Sequence, residues 1–427
     1  VKLAFPYPGV PALEIPASAR VSWLEPKSFT QNTGHETHII QRGLQNPIGL
    51  PRLGELTRGK QNILILVDDY TRTTPVHLIL PQVLAEMYAG GVEKSNIRLL
   101  VASGTHRAMT APEKQKRFGA QVAADHVILD HHYDDLSQLA RLPDTPGGTE
   151  IWVNRAVLEA DFVLGIGHIA PHRVAGFSGG GKIVQPGVCG AVTTGQTHWL
   201  SARYLGAEII GKVDNPVRRE IDAVARAAGL KYIINAVMDG AGRLVSCVCG
   251  DPHLAFQAGA QQALEVFGAP LSEPADIVIA ESFPADMELW QAAKAVYAAD
   301  LALKPGGILI LVTPCPEGVS AEYPQVTQIG YQSYEKVKAL VDCAELTDLT
   351  VAAHLVHMGR VICEKGQGVL VSPGINAATA ARIGFHWMET PQAALDYALQ
   401  KMGTNAAIAV LKNGGEIMPV IGNAGHD

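Results

Sequence analysis

The sequence is poor in charge, poor in cysteine and without a long apolar run, and each shortage removes a class of protein. Charged residues make up only 18% of the 427 positions, so much of the chain is expected in buried α/β elements. The 34 basic and 41 acidic side chains leave a net charge of −7. That balance lacks the basic surplus a nucleic-acid binder needs. Six cysteines are scattered at Cys189, Cys247, Cys249, Cys315, Cys343 and Cys363. A disulfide framework is not expected in a chain this large. Cys247 and Cys249 form C-x-C, and no second pair completes a zinc site. No apolar stretch reaches the length of a membrane span, and Val1 to Pro6 hold no apolar signal core. The expectation is a soluble cytoplasmic protein that binds neither nucleic acid nor membrane. The sequence leaves its oligomeric state open.

Hydrophobic residues, at 47%, suffice for well-packed cores, and the length suits two domains. Short β-branched runs at 62–68, 97–102 and 161–166 read as buried strands, with helical spacing at 76–90 between the first two. Further on, 216–229 and 252–267 read as helices flanking a strand at 231–238. A new unit starts with a strand at Ala275, then a helix at 288–300, a strand at 307–312 and helices near 333–342 and 391–402. This alternation predicts an α/β fold: two domains with mostly parallel sheets and an interdomain cleft. The boundary is placed in the loop 268–274. It divides an N-terminal cofactor-binding domain, 1–270, from a C-terminal domain, 271–405. Residues 406–427 are left open as a return to the first unit.

Ligands of open parallel sheets sit at the carboxyl ends of strands. Three polar clusters fall there: Asp68-Asp69-Tyr70-Thr71-Arg72, Ser103-Gly104-Thr105-His106-Arg107, and the loop from Gly167. The loop carries the densest signal, running from His168 through Pro171-His172 to Gly176-Phe-Ser178-Gly179-Gly180-Gly181-Lys182. It matches seven positions of a P-loop, but Ile183 stands where Ser or Thr would bind magnesium. Pro186 and Gly187 oppose the helix that should follow. The glycines still expose backbone N–H groups able to hold a phosphate. Gly165-Ile-Gly167 is a weak dinucleotide fingerprint, interrupted by Pro171. His35-Glu-Thr-His38 has the wrong spacing for H-E-x-x-H.

His106, His172 and His198 each follow a strand or glycine turn beside Arg, Lys or Thr, and are read as functional. His126, His131, His132, His253, His386 and His426 are read as surface or structural. Arg72 suits forked carboxylate recognition. Lys182 can approach a ligand closely or bond to a carbonyl-like carbon. Trp290 and Lys294 share a helix face at i, i+4 and point toward the cleft. Two other readings stay open: a zinc-dependent hydrolase using some of His106, His168, His172 and His198, and a phosphate- or nucleotide-binding module.

Taken together, these segments resemble the nickel-pincer nucleotide racemase family, founded on lactate racemisation. The resemblance rests on Asp69-Tyr-Thr-Arg72, Ser103-Gly-Thr-His106-Arg107, Pro171-His172 through Lys182, Thr197-His198-Trp199 and Trp290-Gln291-x-x-Lys294. It implies a nickel-pincer nucleotide, of the nickel pyridinium-3,5-bisthiocarboxylic acid mononucleotide type, supplied by cofactor-biosynthesis enzymes. It implies Lys182 as the covalent tether, His198 as the nitrogen ligand to nickel, and His106 and His172 as paired acid/bases. Asp69, Arg72 and Lys294 would orient a 2-hydroxy acid, with Trp290 and Gln291 in its pocket. The backbone of Ser178, Gly179, Gly180 and Gly181 would lie near the cofactor's phosphate. Two departures, Trp290 itself and the absence of a tryptophan from 350–357, leave lactate, malate and sugar acids open as substrates. His354 or His357 would then meet extra polar groups.

Overall fold

The computed structural model describes residues 1–29 and 35–422. His426 and the end of the 406–427 segment lie outside them. Twelve strands build two six-stranded sheets. In chain order they are β1 (Arg20–Leu24), β2 (Ile63–Asp68), β3 (Ile97–Ala102), β4 (Val127–Leu129), β5 (Phe162–His168), β6 (Leu230–Met238), β7 (Leu244–Gly250), β8 (Ala275–Glu281), β9 (Leu303–Val312), β10 (Gln367–Val371), β11 (His386–Trp387) and β12 (Ala407–Leu411). The first sheet has the order β7-β6-β5-β2-β3-β4 and the second β11-β10-β9-β8-β12-β1. Within these two sheets, among the described residues, only the β6–β7 pairing is antiparallel.

The central strands β2 and β5 are buried along their whole length, as parallel strands covered on both faces must be. Each sheet carries an apolar core on either face. The predicted elements appear with ends shifted by a few residues, and the helix Pro391–Met402 matches its prediction.

Pairing redraws the expected boundaries. Residues 268–271 form a strand rather than a loop, parallel to Met418–Ile421. Ala407–Leu411 joins the second sheet beside β8 instead of returning to the first. Arg20–Leu24, near the chain start, forms the outer edge of that same sheet. Edge strands are placed by their partners' free hydrogen-bonding groups, which the local sequence does not record.

Both sheets change direction at their centres. In the first, the chain leaves β2 toward β3 and β4, then resumes at β5 on the other side. In the second, β8 is flanked by β9 and by the late strand β12. Such switch points open crevices at strand carboxyl ends.

His131 is structural, as expected. Its Nε2–H donates to the Cys189 carbonyl at 2.9 Å, and Nδ1 faces the Asn154 amide at 3.3 Å. Burial pushes its pKa from 6.5 down to about 4. Between those values only the unfolded chain takes up the proton, so this group's stability falls as pH drops. The expected slope is about 1.4 kcal/mol per pH unit from pH 6.5 to 4. Urea unfolding at pH 7 and pH 5 checks it: His131→Asn should show a smaller difference than the parent.

Candidate active site

Asp69 follows β2 and His106 follows β3, and parallel pairing of these strands sets Asp68 beside Ala102. The loops therefore meet, and His106 Nδ1 lies 2.7 Å from Asp69 Oδ2. The other carboxylate oxygen accepts from the Thr71 N–H at 3.1 Å and hydroxyl at 2.6 Å. Burial alone would raise the Asp69 carboxyl. The adjoining His106 imidazole, the Arg72 charge and the Thr71 hydroxyl together outweigh it and hold the group below the usual carboxylate range. Asp69 is thus a fixed anion that orients an imidazole.

The glycine-rich loop begins as a two-residue hairpin, Pro171–His172 against Gly176–Phe177. The Val174 N–H donates to His172 Nδ1 at 3.1 Å. Neutral His172 therefore carries its proton on Nε2, which points at Lys182 Nζ, 2.8 Å away. Burial pushes both groups well below their ordinary values, helped at Lys182 by the Arg72 charge and at His172 by the cations around it. Both observations favour the uncharged amine at Lys182, placed to accept from the imidazole.

The three glycines act differently from expectation. Gly179 lines the cleft; Gly180 and Gly181 do not. The Gly180 N–H donates to Asn235 Oδ1 at 2.8 Å. Gly180 has φ +59°, and an added Cβ would lie 2.9 Å from the Phe256 ring. At Gly181 it would lie 2.8 Å from Asp222 Oδ1. Buried Arg218 clamps the loop through the carbonyls of Ala175, Phe177 and Gly179, with its guanidinium over Phe256. The Ser178 hydroxyl braces the loop between the Ala170 N–H and the His168 carbonyl. These glycines let backbone pack closely behind Lys182, and Arg218 had no signal in its own neighbourhood of sequence. Gly180→Ala should destabilise the fold by about 2–4 kcal/mol, from left-handed strain plus overpacking; a urea titration measures it.

His198 lies on the helix Ala191–Ser201, which begins only after Pro186 and Gly187. Its Nδ1–H donates to the Thr194 carbonyl one turn earlier, at 2.8 Å. That fixes the tautomer and leaves Nε2 as a lone pair, the arrangement of a metal-ligating imidazole. Burial lowers its pKa to about 4. Among the described residues, no three His, Cys, Asp or Glu side chains gather as a metal site. Zinc hydrolases use three protein ligands, so that reading finds no support here. A metal at His198 would need donors brought by another group.

From the second unit, the helix Leu289–Ala302 brings Trp290, Gln291 and Lys294 to the same cavity of about 710 Å³. It starts one residue later than position 288, the start read from sequence. Burial and then the Arg72 charge push Lys294 down to about 7. Arg72 uses its backbone in hydrogen bonds with Asp69 and Arg117, but the side chains of Arg72 and Lys294 make no hydrogen bond or close ion pair with described residues, so both are available to an anion.

Trp290 is gripped between two rings, with the Tyr323 centroid at 4.3 Å and the His354 centroid at 3.9 Å. The Tyr323 hydroxyl donates to the Thr105 carbonyl at 3.4 Å, tying this wall to the loop of His106. His354 faces the Tyr297 and Tyr331 hydroxyls at 3.0 and 3.5 Å, and His357 Nε2 faces Ser201 at 3.0 Å. His354 therefore uses both ring nitrogens, and His357 at least one, on the protein itself. Tyr323 was invisible in the sequence.

The lactate racemase N-terminal domain family matches residues 9–207, and the lactate racemase C-terminal domain family matches residues 271–419. The lactate racemase of Lactiplantibacillus plantarum is 32% identical over 292 residues, covering 67% of this chain and 68% of that protein. That of Thermoanaerobacterium thermosaccharolyticum is 31% identical over the same length and the same shares. The solved apoprotein of the latter superposes with a TM-score of 0.87 at 26% identity, covering 98% of this chain and all of that one. A Thermotoga maritima protein shares the fold, with a TM-score of 0.72 at 22% identity, covering 93% of this chain and all of its own.

Proposed function

The chain belongs to the lactate racemase family, and on that premise we propose that it inverts C2 of a 2-hydroxy acid through a 2-keto acid. It is an isomerase of the racemase type. The observation that carries the reading is convergence: residues from Asp69 to Lys294, drawn from both sheets, line one cavity.

The residues fit a nickel-pincer nucleotide. Lys182 offers an uncharged amine for covalent attachment. His198 offers one nitrogen, and the pincer's own sulfur and carbon would complete the nickel site. When bound, such a cofactor supplies the acceptor and donor for the hydrogen of C2. Cofactor-making enzymes would have to deliver it.

The chain's own residues do the rest. Arg72 and Lys294 neutralise the substrate carboxylate, and Arg72 can do so with two parallel bonds. One imidazole, His106 or His172, takes the hydroxyl proton as the carbonyl forms, and the other delivers a proton to the oxygen when the opposite enantiomer is made. Asp69 fixes the ring of His106 through Nδ1. With one imidazole for each enantiomer, the reaction runs in both directions. Lactate is the substrate of the named relatives and the first to try here; malate and sugar acids come next. The rigid Trp290 wall, braced by Tyr323 and His354, sets the space available.

The test is a screen of single enantiomers with protein made alongside the cofactor pathway, followed by chiral chromatography in H₂O and D₂O. The expected result is racemisation with little solvent deuterium at C2. Extensive deuterium incorporation would favour a carbanion and overturn the mechanism. Absence of racemisation across the series would overturn the function.

A further inference from the structure

One motif of the sequence has no part in the cleft. Cys247-x-Cys249 lies on β7, the outer strand of the first sheet, and side chains two apart on a strand share a face. The two sulfurs stand 4.0 Å apart, and both residues are buried, at 5% and 1% exposure. Their register partners on β6 are Ala236 and Ile234. Asn235, between those two, turns to the opposite face, where its Oδ1 accepts from the Gly180 N–H. The thiols therefore face away from the glycine-rich loop and lie outside the cleft lining. The helix His35–Gln45 closes over them: at Gly43 an added Cβ would lie 2.2 Å from the Cys247 carbonyl oxygen and 3.3 Å from Cys249 Sγ.

A second, independent observation belongs to the same place. Tyr232 stands two residues before Ile234 on β6, on the same face as the thiols, and is fully buried. Its hydroxyl has no hydrogen-bond partner among the described residues. The charges that reach it most strongly are those of Cys249, Glu86 and Cys247, and Glu86 is already paired with Arg52 at 3.3 Å. A buried hydroxyl without an acceptor is costly, and a thiol sulfur is a weak acceptor. A thiolate accepts more strongly. The Cys247 hydrogen bond and burial hold the Cys249 thiol well above its ordinary pKa, so it ionises when a cation takes the proton's place.

Two metal–sulfur bonds of about 2.3 Å, to sulfurs 4.0 Å apart, meet at an angle of about 120°, so one ion fits between the pair. Zinc takes four ligands, and among the described residues no three His, Cys, Asp or Glu side chains gather as a metal site. Soft thiolates select Cu(I). We propose that Cys247 and Cys249 bind one Cu(I) ion as a dithiolate, with the Tyr232 hydroxyl donating to a sulfur. Both thiol protons leave to solvent, two Cu–S bonds form and no electron is exchanged. The site is separate from the cleft and stands whether or not the chain is a racemase.

The test uses the full chain, reduced and freed of metal, with the exposed thiols Cys343 and Cys363 replaced by Ser. Anaerobic titration with Cu(I) held by bicinchoninate should show one tight equivalent, and X-ray absorption at the copper edge should find sulfur neighbours. Cys247→Ser and Cys249→Ser should each abolish that step, since a hydroxyl is a poor ligand for a soft ion. Tyr232→Phe should keep the stoichiometry and weaken binding roughly tenfold, the scale for an outer partner of a metal ligand. The urea midpoint of the metal-free Tyr232→Phe protein should hold or rise, which separates a hydroxyl serving the ion from one supporting the fold. No tight equivalent in the parent background, nitrogen or oxygen neighbours alone, or a step that survives both cysteine variants overturns the proposal. Unchanged affinity in Tyr232→Phe overturns the hydroxyl's part in it. The titration and the absorption spectrum of the parent background decide even where a variant does not fold.

Discussion

Lys182→Ala should remove both the covalent mass increment of the loaded protein and its racemase activity. The effect turns on the protonation state of one amine. A lysine on a glycine turn would ordinarily be charged and inert. Here burial and the Arg72 charge disfavour the ammonium, and the Nε2–H of His172 needs an acceptor 2.8 Å away. An uncharged amine is a nucleophile. Lys182→Arg is the sharper control, because a guanidinium keeps the charge and does not deprotonate. Both variants should lose the increment in intact mass spectrometry. Activity should fall by at least about 10³-fold, the scale on which loss of a positioned reactive group is felt. Full activity of either variant, with no bound cofactor, would sink the tether.

Replacing His106 or His172 by Gln should cost roughly 10²–10⁴-fold in kcat, the range for loss of a positioned acid or base. Racemisation needs proton transfer in both directions, so each single variant should be nearly as impaired as the double. Such non-additivity marks groups that act as one unit. Asp69→Asn should lower kcat with little change in KM, since Asp69 touches His106 and Thr71 rather than bearing the main carboxylate charge. Retention of more than a tenth of the activity by His172→Gln would remove it from the acid/base pair. Independent, multiplying losses would argue for a single base.

Much of this site could be read in the sequence because its parts are local. His106 follows its strand directly, Trp290 and Lys294 are one helical turn apart, and the glycine run announces close backbone contact. The purpose of that contact was not local. Gly180 and Gly181 need no side chain because Phe256 and Asp222 press against them, and Arg218 clamps the loop from forty residues away in sequence. Likewise His354 stands in the expected stretch, but Tyr297 and Tyr331 occupy its ring nitrogens.

Periodicity and turn chemistry alone determined an α/β fold, most of the strands and helices, and which polar side chains stand at strand ends and glycine turns. Both are properties of neighbouring residues, so one chain records them. Tertiary structure alone decided that β1 and β12 complete the second sheet, that Lys182 faces His172, and which imidazole nitrogens stay free. Those outcomes depend on which distant groups are left to accept or donate a hydrogen bond, and on how much water burial removes.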